Sequence, residues 1–124
     1  MSLKFWMGLK AVVEVIFGVG FVVAPVLLGS MFGMNLDKQG ALMSQLFGTA
    51  FIFGALILWL CKNFPWPEAQ KIVIAVTLSN AIGFVVTLIA TLNGVWNALG
   101  WLPVGLYLVF GLVFAYFWFI KKSV

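Results

Sequence analysis

The sequence predicts an all-α fold, an integral membrane bundle of four transmembrane helices with short loops, and three observations carry that prediction. The chain of 124 residues is 65% hydrophobic and only 8% charged, whereas an ordinary soluble domain is about a quarter charged and roughly half apolar. Its apolar residues fall into four runs, Phe5–Leu28, Ala41–Cys61, Ile72–Leu92 and Trp101–Ile120, each close to the roughly 20 residues a helix needs to span a bilayer. The charged residues stand almost wholly at the ends of those runs. Residues 1–124 therefore read as a single membrane domain with no space among them for a catalytic domain outside the bilayer.

The first span, 5–28, is interrupted by Lys10 and Glu14, contains Pro25 and closes at Gly29-Ser30. Its internal charges and the lack of a small-x-small cleavage site predict a retained helix rather than a secretory signal. Asn35-Leu36-Asp37-Lys38 leads into the second span, 41–61, with an acid near the positive end of the helix. Phe64-Pro65-Trp66-Pro67 predicts a stiff turn that sets Pro67 at the first position of the third helix, with Glu68 and Gln70 in its opening turn. The third span, 72–92, ends at Asn93-Gly94, and an uncharged link leads to the fourth, 101–120. Pro103 falls in the first turn of that helix, where its missing N–H costs little. Trp6, Trp59, Trp66, Trp96, Trp101 and Trp118 lie near span ends, the pattern of an aromatic belt at the membrane interface.

Lysine placement predicts orientation. Lys4, Lys10, Lys62, Lys71, Lys121 and Lys122 belong to the two termini and the middle connection, against Lys38 alone on the other side. The positive-inside rule then places both termini in the cytoplasm, most naturally in a bacterial or archaeal inner membrane. A faint internal echo pairs Gly48 to Gly54 with Gly105 to Gly111, and Gly20 to Val23 with Gly83 to Val86. Two related hairpins of one orientation would produce it, and so would chance repetition in an apolar sequence.

Composition excludes several chemistries. With no histidine, no arginine and the single cysteine Cys61, the usual side chains for zinc, haem or an iron–sulfur cluster are missing, and so is any histidine-assisted nucleophile. No cofactor and no enzymatic activity are expected. The net charge of +4 sits at span ends rather than in a patch, which speaks for topology and against nucleic acid.

Glu14 is the one acid inside an apolar run. Counted from Phe5 at 1.5 Å per residue it lies roughly 13 Å into the hydrocarbon. A carboxylate at that depth should face other helices, be paired, or carry a proton. It would either load and release protons or form a structural pair with Lys10, four residues earlier, whose long stem can snorkel to the cytoplasmic interface. In the third span Thr77, Asn80, Thr87 and Thr91 share a side with the small row Ser79, Gly83, Thr87 and Thr91; in the second, Ser44 and Gly48 are four apart, as are Ala50 and Gly54, beside Gln45 and Thr49. Such rows let helices approach, and their polar members can bond across the interface. Gly8, Gly18 and Gly20 in the first span and Gly105 and Gly111 in the fourth are expected at close contacts too. A functional alternative places Glu14, Gln45, Asn80 and Tyr107 around one polar pocket inside the bundle.

The glycine-rich first span ending at Pro25, the short link, and Gly40-Ala-Leu-Met-Ser-Gln-Leu-Phe-Gly48 opening the second span resemble the small four-helix bacterial membrane proteins called DoxX-like. Val13-Glu14-Val15-Ile16 is similar to the segment around the essential first-helix glutamate of small multidrug resistance transporters. That similarity implies proton-coupled export of lipophilic cations. The residues themselves lead first to a non-enzymatic accessory or scaffold subunit in the lipid bilayer, packing on other membrane proteins or on copies of itself, and second to a small proton-coupled transporter using Glu14.

Overall fold

A computed structural model describes residues 1–124. It contains five α-helices and no strand: α1 (Leu3–Val23), α2 (Pro25–Met31), α3 (Lys38–Cys61), α4 (Glu68–Leu92) and α5 (Trp101–Tyr116). A 3-10 turn, Ala98–Gly100, leads into α5, and a π-helical turn, Phe117–Lys121, continues it. α1, α3, α4 and the continuous stretch Ala98–Lys121 are each long and apolar enough to cross a membrane. An all-α chain with four such helices agrees with the fold class expected.

The first apolar run is not one helix. The pyrrolidine ring disfavours α geometry at the residue before it, and Ala24 stands at φ −136°, ψ 60° between α1 and α2. α2 starts on Pro25, which has no N–H to lose at a first helical position. α1, α3 and α4 also start earlier than their apolar runs, whereas α5 begins on Trp101 with its run. Asp37 accepts from Gly40 N at 2.7 Å and so begins α3 at Lys38. α4 begins at Glu68 with Pro67 as its N-cap, one place before the position expected for that proline. Pro103 lies in the first turn of α5, as expected.

The helices pair as two antiparallel hairpins, α1 with α3 and α4 with α5. The first is drawn together where Gly18 meets Gly48: a Cβ on Gly48 would stand 2.6 Å from the Gly18 carbonyl oxygen. Both chain termini lie at one end of the bundle, where Leu3 N donates to the Val124 carbonyl at 3.2 Å. In this terminal half the hairpins share a core in which Met7, Val73, Phe114 and Phe117 have no exposed surface. At the far end the connections 32–37 and 93–97 are clasped. Asn97 N donates to the Phe32 carbonyl at 2.9 Å and Asn97 Nδ2 to the Met31 carbonyl at 3.0 Å, while Trp96 Nε1 donates to Met34 Sδ at 3.2 Å. Gly33 makes this possible at φ +84°, a conformation that suits glycine.

Candidate functional site

Above the shared core the hairpins part and enclose a cavity of about 80 Å³. Rings form most of its wall: Phe17 and Phe21 from α1, Phe47 and Phe51 from α3, Tyr107 and Phe110 from α5, with Phe32 and Trp96 from the clasp. The first hairpin's rings touch one another in sequence, Phe21 to Phe47 at 5.5 Å between centroids and Phe47 to Phe51 at 4.5 Å.

Glu14 and Asn80 meet Lys10 on this wall. Lys10 is 7% exposed. Its ammonium lies 3.2 Å from Glu14 Oε1, donates to Asn80 Oδ1 at 3.5 Å and stands 5.1 Å from the centre of the Phe110 ring. Asn80 in turn donates through Nδ2 to the Val76 carbonyl of its own helix at 2.7 Å, which holds its oxygen toward Lys10. Glu14 is thereby fixed by one oxygen only. Its Oε2 is shielded from the surface and has no hydrogen-bond partner in the chain. Gly54 provides the space for this carboxylate, since a Cβ there would approach Oε2 to 3.2 Å.

Of the four residues expected around one pocket, Glu14, Asn80 and Tyr107 line the cavity and Gln45 does not. Gln45 Nε2 donates instead to the Val22 carbonyl at 3.0 Å. The break before Pro25 deprives that carbonyl of its partner in a continuing helix, and an orphaned carbonyl draws the nearest donor. The expected pair between Lys10 and Glu14, four residues apart, is formed, but Lys10 turns into the bundle toward Asn80 instead of snorkelling outward. Trp96, expected in an interfacial belt, lies against Phe32 at 5.1 Å and closes the far side of the cavity.

The packing residues divide. Gly18 and Gly48 form the α1–α3 contact, Gly83 receives the Tyr107 ring, with a built Cβ 2.6 Å from Tyr107 Cδ1, and Gly111 faces Asn80 Cβ at 3.5 Å. Thr87 is buried, Ser44 half-buried, and Ser79 exposed on the outside of α4. Gly105 faces open space and Gly8 makes only ordinary contact with Trp59. The expected hydroxyl bonds between helices are not formed: Thr49, Thr77, Thr87 and Thr91 each donate to a carbonyl one turn back in their own helix, the local option open to any helical threonine.

The site offers a hydrogen-bond acceptor with no donor of its own, set in apolar surroundings and faced by aromatic rings. A lone buried acceptor is costly, and either a proton or a donor on a ligand relieves that cost. Compared with known proteins, the chain matches no family model, and neither a curated protein nor a solved structure is significantly similar to it.

Proposed function

We propose that the chain is a small proton-coupled membrane transporter that binds a lipophilic cation in the cavity between its hairpins. It resides in a bacterial or archaeal cytoplasmic membrane with both termini inside. The observation that supports this reading is Glu14 Oε2, a shielded oxygen with no partner in the chain. Proton and cation are alternatives for that oxygen, so exchanging one for the other leaves the charge of the site unchanged. Lys10 holds Oε1, and Asn80 holds Lys10. The surrounding rings favour a cation by about 2 kcal/mol where water is excluded. The similarity of Val13 to Ile16 to the glutamate segment of small multidrug resistance transporters points the same way.

The test is uptake of radiolabelled tetramethylammonium, a cation small enough for the cavity, by liposomes carrying the full chain, with an acidic interior driving exchange. The wild-type protein is expected to accumulate it, and Glu14→Gln to fall to the level of empty liposomes while keeping its helical circular dichroism. Equal uptake by both would end the proposal.

A second reading, an accessory or scaffold subunit, has one surface in its favour. Ala75 and Ser79 stand one turn apart on the outside of α4, among the exposed Leu78, Ile82 and Val86. Small residues at that spacing admit another membrane helix. The small residues at the centre of the bundle serve contacts within the chain, which leaves this reading the narrower support. A scaffold is indifferent to Glu14→Gln, so the same variant separates the two.

A further inference from the structure

A second concavity lies outside the bundle at the terminal end, between the start of α1 and the close of α3. Lys4 and Lys62 stand at its head, Trp59 forms one side, Gly8 keeps its floor low, and Phe5, Leu9 and Val12 continue it along α1. Its volume is about 390 Å³, and Trp59 is half exposed beside it. The two lysines come from different helices, and neither has a carboxylate partner. Glu14 is bound to Lys10 in the one ion pair of the chain. Asp37 caps α3 at the opposite end, and Glu68 belongs to the first turn of α4. The Lys62 ammonium rests 3.2 Å from the centre of the Trp59 ring, a contact that keeps it at the groove. The first turn of α1 adds the positive end of its dipole.

Two free ammonium groups above an apolar trough suit a ligand that is anionic at its head and hydrocarbon below it. A soluble anion would leave the trough unused, and a zwitterionic lipid would leave the excess positive charge unanswered. We propose that this groove binds one anionic phospholipid, its phosphate between Lys4 and Lys62 and one acyl chain along Phe5, Leu9 and Val12 beside Trp59. The site is separate from the cavity between the hairpins and stands whether or not the transport reading does.

The experiment is native mass spectrometry of the full chain released from nanodiscs of equal parts phosphatidylglycerol and phosphatidylcholine. The wild-type protein is expected to retain one phosphatidylglycerol over phosphatidylcholine by on the order of tenfold, in keeping with the attraction of two lysines for an anionic membrane surface. Lys4→Gln with Lys62→Gln should abolish the preference, whereas Lys71→Gln with Lys122→Gln, an equal loss of charge away from the groove, should keep it. Glycerol 3-phosphate, which offers the phosphate without the chains, should not be retained. Equal loss in both double variants would show diffuse charge attraction and overturn the site, as would a preference that survives in Lys4→Gln with Lys62→Gln, or none in the wild-type protein. Retention of glycerol 3-phosphate would overturn the role of the trough.

Discussion

The terminal half of the bundle and the far half are built by the same four long helices, yet one is solid and the other encloses a cavity. In the terminal half small and large side chains face each other: Ala11, Ala55, Ala69 and Val73 meet Phe110, Phe114 and Phe117. Small against large allows interdigitation, the condition for dense packing. In the far half Phe17, Phe21, Phe47 and Phe51 are gathered on one hairpin, with Tyr107 across from them and Phe110 at the boundary with the core. The rings of the first hairpin pack on one another and leave space between the hairpins. Lys10, Glu14 and Asn80 lie where the two regimes meet, and the clasp closes the opposite end. Apolar content is therefore a poor guide to solidity in such a bundle; the pairing of sizes across the interface decides it.

Three substitutions test that contrast, each read by reversible unfolding in mixed micelles followed by circular dichroism. Phe114→Ala removes a ring surrounded on every side and should cost about 3 kcal/mol or more. Equal stability with the wild type would deny that the terminal half is the solid one. Gly48→Ala should cost about 2 kcal/mol, because the new methyl meets the Gly18 carbonyl and Phe21 Cβ, the latter at 2.9 Å, and neither is a flexible tip. A neutral result there would mean that α1 and α3 separate freely. Phe51→Ala removes a ring that is only half-buried and borders existing space, and should cost only about 1 kcal/mol. A loss as large as that of Phe114→Ala would erase the distinction between the halves.

The sequence made the helices plain and their facing much less so. Four apolar runs and the polar side chain of Asn80 were legible because length and hydropathy act along the helix axis. Azimuth was not, since in a membrane helix the lipid-facing and core-facing sides are both apolar and the pattern carries little phase. Ser79 and Gly83 share one row in the sequence, yet Ser79 faces outward and Gly83 receives a tyrosine ring. Gly48 and Gly105 occupy matching places in the internal echo, yet only Gly48 touches another helix. The polarity of Gln45 points to the pocket, but the carbonyl it serves is available only through the break at Ala24. The preference of a residue before proline for extended geometry was open to reading and foretold that break. The inward turn of Lys10 depended on Asn80, 70 positions away along the chain.

The clasp between Asn97 and the residues after α2 gives the bundle a mechanical character. The hairpins are bound at the far end by Asn97 and Trp96 and at the terminal end by the solid core and the Leu3 to Val124 bond. Like staves hooped at top and bottom, they are fastened at both ends, with the charged pair between. A swelling of the middle changes the space around Glu14 without unfastening either hoop.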